Sequence, residues 1–375
     1  MTSCDGNLAK YILPQLVSIE ENLCKQCGYN VHFYLAHNRI PSENVQMLES
    51  FAKEQTNISF HEVKVTENIC FYESLAGGKG GKQWPYEAYL TLRAQDYLPE
   101  DVDRILYIDA GDVIIDGDIG PYYFDDFEGN FIIATPLGFK INPISNEKEL
   151  FTSEDILQLA KHGSLFNSGS YVINIEKFRT EGYSIEDYLY LSDMLIQNAK
   201  PGSSAYFGDQ GFLAAAFVGH IKFFGYPEYK DPSYMPYNFR SAYWDLFKNE
   251  PNYKPVILHY ALISKPWVVR FSDEVIDNVI GHPDFIDKNR FVPIPPIAYM
   301  TPQGLRLGEV WWKYAKKTPI YEEASMRATI TAESWVKHYF PLCTAYNNLG
   351  ANYNILSTEY NKLAADLNNL NSLKK

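Results

Sequence analysis

An apolar strand that empties directly into carboxylates sets the frame for this chain: Arg104-Ile-Leu-Tyr-Ile-Asp109-Ala-Gly-Asp112-Val-Ile-Ile-Asp116-Gly-Asp118-Ile119. The run Ile105 to Ile108 is too uniformly apolar for a strand with one solvated face, so it reads as a central strand buried on both faces. Open α/β sheets bind ligands at the carboxyl ends of such strands, where Asp109 and Asp112 stand. Two oxygen donors a few atoms apart suit Mg²⁺ or Mn²⁺, which take carboxylate, water and phosphate oxygens. A solvated acidic turn accounts for the same residues, since Asp and Gly are ordinary turn formers. A calcium loop fits poorly, because Val113, Ile114 and Ile115 fill positions where an EF-hand needs polar ligands. A phosphatase of the strand-Asp-x-Asp kind wants its second carboxylate two residues after the first, and here it comes three after.

A chain of 375 residues is long enough to bury a substantial core, as one large domain with an appendage or as two modest ones. The net charge of -13 argues against a nucleic-acid partner, which needs clustered Lys and Arg. It leaves open a nucleotide held through a metal. The 29 Tyr suit either a carbohydrate-stacking surface or an aromatic core. Five cysteines, an odd and scattered set, fit a reducing cytoplasm better than a disulfide framework. Cys24-Lys-Gln-Cys27 lacks a second Cys/His pair at metal spacing. The absence of a signal peptide or an apolar run of about twenty residues points to a soluble or peripherally membrane-associated protein.

Helix and strand alternate up to about Ile119 in the manner of an α/β unit. A helix is expected from Ala9 to Lys25, with Pro14 as a kink or a late start, and another capped near Ser42. Strands are expected over Val31 to Ala36, Ile58 to Val65, Phe131 to Thr135, Ser170 to Ile175 and Val256 to His259. Asn167-Ser-Gly169 reads as a turn, and Glu87–Leu98, Ile185–Ala199 and Asp209–Val218 as helices. Gly77-Gly-Lys-Gly-Gly-Lys82 is a lid or a surface loop, without the sequence of a phosphate loop. The pattern places one domain over 1–283 and a proline-rich, helical extension over 284–375. Leu349, Tyr353, Leu356, Tyr360, Leu363, Leu367 and Leu370 alternate spacings of four and three, a heptad seam within 346–373 that would either join two chains or pack on its own domain.

Taken in order, these residues resemble family 8 of the retaining glycosyltransferases, a GT-A group that includes bacterial lipopolysaccharide and capsule galactosyl- and glucosyltransferases. The likeness runs through roughly the first 270 residues. Ser3-Cys-Asp5-Gly-Asn7-Leu-Ala-Lys-Tyr11 is similar to the uridine-binding turn, Asp109-Ala-Gly-Asp112 to the Asp-x-Asp metal motif, and Asn167-Ser-Gly169 to the donor-sugar turn. Asp209-Gln210 is similar to the pair below the anomeric carbon, and His259-Tyr-Ala-Leu-Ile-Ser-Lys265-Pro-Trp267 to the signature that closes the site.

The resemblance implies a Rossmann-like nucleotide-binding sheet, mixed at its C-terminal side, with a C-terminal helical extension. It implies UDP-sugar as donor and a glycan or lipid-linked acceptor. Ser3, Asp5, Asn7, Asn167 and Lys265 would bind the donor, and Asp109, Asp112 and His259 would hold the ion. Imidazole among the ligands favours Mn²⁺ over Mg²⁺. Asp209 would hold a sugar hydroxyl and Gln210 would face away from the leaving group, in a front-face transfer that retains configuration. The chain departs from the family at four places. Its metal motif has one additional residue, Thr91 stands where the preceding helix carries a basic residue, Leu262 stands where a glycine approaches the diphosphate, and the first strand is very short. Those departures also suit a sugar-nucleotide-binding relative without catalysis, and the acidic strand alone would suit a metal-dependent phosphatase or nucleotidyltransferase.

Overall fold

The computed structural model describes residues 1–77, 85–136, 166–198, 208–224, 256–260, 265–268, 270, 302–333, 337, 352, 355–360 and 362. Two compact units emerge, one of Met1–Leu262 with Glu309–Glu322 and the other of Ile263–Gly308 with Glu323–Lys375.

The first unit is built on parallel strands β1 (Thr2–Ser3), β2 (Val31–His37) and β3 (Ile58–Lys64). The central acidic strand, β4 (Arg104–Ile108), continues this sheet through Met1, whose amine donates to the Leu106 carbonyl at 2.8 Å and whose carbonyl accepts from Ile108 at 3.0 Å. Beyond β4 the order is β7 (Phe166–Asn174), β6 (Ile132–Pro136) and β8 (Ile221–Phe223), with β7 antiparallel to both neighbours. The sheet is thus parallel on one side and mixed on the other. A two-stranded ribbon, β5 (Val113–Ile115) with β9 (Ile257–His259), stands at the carboxyl end of β4.

β4 is central, yet Leu106 is only half-buried while Ile105, Tyr107 and Ile108 are buried. The shortness of β1 is the reason. A strand of two residues leaves the first halves of β2 and β4 facing a groove of about 460 Å³, floored by Ile19, Leu23, Phe33 and Ile105.

The helix expected over Ala9–Lys25 begins as a single tight turn, becomes α-helical at α1 (Ile12–Ile19) and ends in a π-helical stretch over Glu20–Gln26. Pro14 lies in the first turn of α1, where its missing N–H costs little, so the late start is the outcome. α2 (Ser42–Lys53) has Pro41 at its N-cap position, without a side-chain cap, and Ser42 is its first helical residue. α3 (Ile69–Ala76) follows β3. The segment Tyr86–Asp96 is 3₁₀-helical and broken at Arg93 (φ -127°), whose guanidinium is held by Asp96 and the Tyr183 carbonyl. Further helices are α4 (Gly120–Tyr123), α5 (Ile175–Glu181), α6 (Ile185–Asn198), α7 (Gly208–Ala216) and α8 (Pro302–Ala315), and residues 321–333 and 355–360 are helical as well.

Asn167-Ser-Gly169 is not a turn before a strand but part of β7, because the Asp109 N–H donates to the Gly169 carbonyl at 3.0 Å and carries the ladder past the end of β4.

Aromatic residues fill the core. Tyr72, Tyr89, Tyr107, Tyr171, Tyr188, Phe166 and Phe212 are buried together between the sheet and the helices. Buried tyrosines need partners for their hydroxyls. Tyr171 donates to Thr91 at 2.8 Å, Tyr188 to the Leu92 carbonyl at 3.3 Å and Tyr122 to the Ile133 carbonyl at 3.2 Å. Thr91, the departure on the helix, is thereby a buried core acceptor. Cys24 and Cys27 are free thiols directed at backbone carbonyls, and burial, reinforced by Glu20, pushes the Cys24 thiol up to about 12. Neither is a reactive thiolate.

Among the described residues no helix is long and apolar enough to cross a membrane. In the second unit the Arg270 guanidinium donates to Ser325 at 2.9 Å and its N–H to the Ala328 carbonyl at 3.2 Å. Of the heptad seam, Leu356 and Tyr360 are helical and exposed, whereas Leu349, Tyr353, Leu363, Leu367 and Leu370 lie outside the described residues. Leu262 and most of the Gly77–Lys82 loop lie outside them too.

Candidate metal and nucleotide site

The acidic turn after β4 and the strand that follows it are shaped by polar residues of α1 and of the π-helical stretch after it. Gln15, fully buried in α1, donates to the carbonyls of Asp109 at 2.8 Å and Val113 at 2.9 Å, so both ends of the turn are tied to one amide. Ser18 accepts from the Ile115 N–H at 3.3 Å, and Asn22 donates to the Ile115 carbonyl at 2.9 Å. Between Asp109 and Asp112, Gly111 adopts φ +76°, and a Cβ there would lie 2.8 Å from Tyr11 Cβ. Only glycine takes this conformation and this contact without strain. The additional residue of the motif is therefore absorbed at Gly111, and Asp112 turns inward.

The ribbon brings in the third group. β5 and β9 pair Val113 with His259, and the Tyr260 N–H donates to the Asp112 carbonyl at 2.8 Å. Nε2 of His259 lies 3.3 Å from Asp109 Oδ2 and 3.7 Å from Asp112 Oδ2. One donor atom from each residue falls within 4.8 Å of the others. Asp112 and His259 are buried and Asp109 is about one-third exposed, so the cluster opens to solvent on the Asp109 side.

Orientation of the imidazole is fixed from behind. Nδ1 is 2.8 Å from Asn167 Oδ1, which also accepts from the Gly169 N–H at 2.9 Å. With Nδ1–H donating to Asn167, the Nε2 lone pair of the neutral ring faces the carboxylates, as metal-binding histidines require. Gly169 makes the approach possible, since a Cβ there would sit 2.1 Å from His259 Cε1. Burial by itself would lower the His259 pKa, but Asp112 and then Asp109 reverse this and raise it to about 9. Two carboxylates and an imidazole that attract a proton this strongly form a donor set fitted to a divalent ion.

Asp209 and Gln210 open α7 beside this cluster. Burial, with the charge of Asp109 behind it, pushes the Asp209 carboxyl up to about 7, while the Ser168 hydroxyl and the first N–H groups of the helix act the other way. Asp209 thus caps its own helix. The Gln210 amide oxygen accepts from the Ser168 N–H at 3.5 Å, which links α7 to the start of β7.

At the end of β1, Asp5 accepts from the Asn7 backbone N–H at 2.9 Å and side-chain N–H at 3.2 Å. Gly6 is packed against Pro41 and donates no room to a side chain, its absent Cβ lying 2.8 Å from Pro41 Cδ. Ser3 is buried, and its hydroxyl donates to the Glu87 carbonyl at 2.8 Å and lies 3.2 Å from the Tyr107 hydroxyl. Glu87, also buried, takes a bidentate pair from Arg39 at 3.0 Å on each oxygen, and Arg39 stacks 4.4 Å over Tyr86. Lys265 belongs to the second unit, where it opens a turn closed by the Val268 N–H at 3.0 Å.

Of the residues singled out in the sequence, Asp109, Asp112, His259 and Asn167 meet around one point, with Asp209 and Gln210 next to them. Gln15 is not among them, and Gly169 is singled out only as the end of the donor-sugar turn. Gln15, Ser18 and Asn22 stand at helical spacing on an apolar helix, a polar stripe that the sequence does carry.

The family model for glycosyl transferase family 8 matches residues 3–269. The lipopolysaccharide 1,2-glucosyltransferase of Escherichia coli is 25% identical over 241 residues, which is 63% of this chain and 63% of that protein, so the match spans just under two thirds of the relative's length. The lipopolysaccharide 1,3-galactosyltransferase of Salmonella typhimurium is 24% identical over 264 residues, 66% of this chain and 71% of that protein. Among solved structures, the galactosyltransferase LgtC in complex with donor and acceptor sugar analogs is similar at TM-score 0.52 and 19% identity, covering 71% of this chain and 88% of that one. The WbbM bifunctional glycosyltransferase is similar at TM-score 0.56 and 16% identity, covering 87% of this chain and 50% of that one. The shared sheet is the GT-A fold, and with the family model covering most of its length, the chain belongs to glycosyl transferase family 8.

Proposed function

We propose that this protein is a retaining hexosyltransferase that moves galactose or glucose from a UDP-sugar to a glycan or lipid-linked acceptor, with Mn²⁺, or Mg²⁺ in its place, as the assisting ion. The observation that carries this reading is the convergence of Asp109, Asp112 and His259 at the carboxyl end of a GT-A sheet, within 4.8 Å of one another. When bound there, a divalent ion supplies charge neutralisation to the diphosphate leaving group. Asp109, Asp112 and Nε2 of His259 would hold it, and Asn167 and Gly169 orient the imidazole.

The remaining residues divide the work of binding and orientation. Asp5 accepts from the uracil N–H and Asn7 reaches the uracil or ribose. Ser3 contributes through the wall it builds with Glu87 and Tyr107. Lys265 offers a fixed positive charge to the leaving group, worth more in a dry site. Asp209, capping α7, accepts from a hydroxyl of the donor sugar and sets the ring. Gln210 faces the side of the anomeric carbon away from the diphosphate, and a neutral amide is a poor nucleophile. Transfer therefore runs on the front face. The bond from C1 to the diphosphate oxygen breaks, the acceptor oxygen bonds to C1 on the same side, and the acceptor's proton passes to the departing phosphate oxygen. We place this work in the cytoplasm, at or near a membrane surface when the acceptor is lipid-linked, with the heptad seam available to pair two chains.

The test is turnover of a panel of UDP-hexoses by purified protein with Mn²⁺, Mg²⁺ or chelator, read as UDP release. Metal-dependent UDP release with one or two sugars is expected. No UDP binding and no turnover of any UDP-hexose would refute the reading, and release of inorganic phosphate would redirect it to a phosphatase.

A further inference from the structure

Residues 309–322, far along the chain from the matched family segment, reach the acidic turn. Trp311 is fully buried, and its indole N–H donates to the Gly111 carbonyl at 2.8 Å. Its ring lies 6.4 Å from that of Tyr11, tilted by 54°. Gly111 is the residue that widens the spacing between Asp109 and Asp112, and its φ of +76° sets it against the backbone of Tyr11. Tyr11 therefore blocks one side of the turn and Trp311 anchors its carbonyl.

We propose that Trp311 is a positioning residue for the metal turn. Its N–H fixes the Gly111 peptide, and that peptide sets the separation and direction of the Asp109 and Asp112 carboxylates. Glycine has wide backbone freedom, so a peptide on its carboxyl side turns easily unless something outside the turn holds it. Without the indole the buried Gly111 carbonyl would also lose this donor, which favours rotation of the peptide toward another one. The inference rests on the metal reading of the site given above. It adds a requirement that the acidic turn by itself does not carry: ion affinity depends on a side chain 200 positions away.

The experiment measures Mn²⁺ affinity of the full chain by electron paramagnetic resonance of free Mn²⁺, alongside the thermal midpoint. Four proteins are compared: wild type, Trp311→Phe, a form with benzothienylalanine at position 311, and Tyr314→Phe. Benzothienylalanine keeps the indole's shape and removes the N–H, so it answers the question even where Trp311→Phe folds poorly. Tyr314→Phe removes a buried hydroxyl from the same segment without touching Gly111. Loss of an outer-shell partner commonly weakens metal binding 10–100-fold, so both forms altered at 311 are expected to bind Mn²⁺ roughly tenfold more weakly. Tyr314→Phe should lower the midpoint and leave the affinity within about twofold of wild type. Unchanged affinity in the benzothienylalanine form overturns the proposal, as does equal weakening by Tyr314→Phe. A wild type that binds no Mn²⁺ would overturn the metal reading along with it, a result distinguishable from the other two.

Discussion

Asn167 Oδ1 lies 2.8 Å from Nδ1 of His259, although 92 residues separate the two in the chain. β7 carries Asn167 and the β5–β9 ribbon carries His259, so this contact locks the two halves of the candidate site together. Asn167→Ala removes the acceptor that selects the tautomer, and a loss of Mn²⁺ affinity of about 10–100-fold is expected. Gly169→Ala tests the same link from the side. Its methyl would strike the imidazole at 2.1 Å, so it should abolish measurable ion binding in titration calorimetry.

Neutralising either carboxylate should cost more in turnover than in stability. Asp109→Asn and Asp112→Asn keep the size of the side chain and remove one negative charge from the cluster. We expect UDP release to fall on the order of 10²–10³-fold, with a wild-type far-ultraviolet circular dichroism spectrum. Full activity in Asp112→Asn would mean that the inward turn at Gly111 does not serve an ion.

The cluster should also write itself into the pH dependence of the metal-free protein. His259 holds its proton to about pH 9 against an ordinary value of 6.5, so the stability it contributes is complete below 6.5 and lost as pH rises to about 9. Asp209, raised from 3.8 to about 7, contributes in the same direction at lower pH: its folded environment disfavours the ionised form, and stability falls as pH rises from about 4 to 7. The thermal midpoint of Asp209→Asn minus that of wild type should therefore grow between those values and level off above 7. A difference that stays flat over this range would show that Asp209 is ionised throughout. An ion held by His259 Nε2 would displace that proton, so affinity for Mn²⁺ should climb with pH up to about 9.

Arg39 and Glu87 make a pair with one exposed and one buried partner, so loss of the exposed partner strands the buried one. Arg39→Ala leaves a buried carboxylate without its bidentate donor and is expected to cost about 1–3 kcal/mol. Arg39→Ala combined with Glu87→Gln should recover part of that loss, because the buried charge is gone. Urea unfolding of the three proteins measures both effects. No recovery in the double variant would show that packing on Tyr86, and not the charge pair, sets the cost.

Much of this was written in the order of the residues. The apolar run before Asp109 dictated a central strand, because a run of Ile, Leu and Tyr carries no polar face for solvent, although the short β1 leaves Leu106 half-buried. The carboxylates behind it fell at the ligand-binding end, and the alternation of helices and strands up to Ile119 required an α/β sheet. Tertiary structure decided the rest. That Asn167-Ser-Gly169 extends β7 depends on the Asp109 N–H, a partner sixty residues upstream that no local pattern announces. Which oxygen and which nitrogen converge depends on a ribbon pairing Val113 with His259, and on Gly111 taking a positive φ against Tyr11. Trp311 reads in the sequence as one of two adjacent tryptophans in a helical stretch. Its hydrogen bond to Gly111 exists only because the chain returns to the acidic turn after 200 residues, and long-range contacts of that kind are set by packing, which the sequence specifies only through the whole fold.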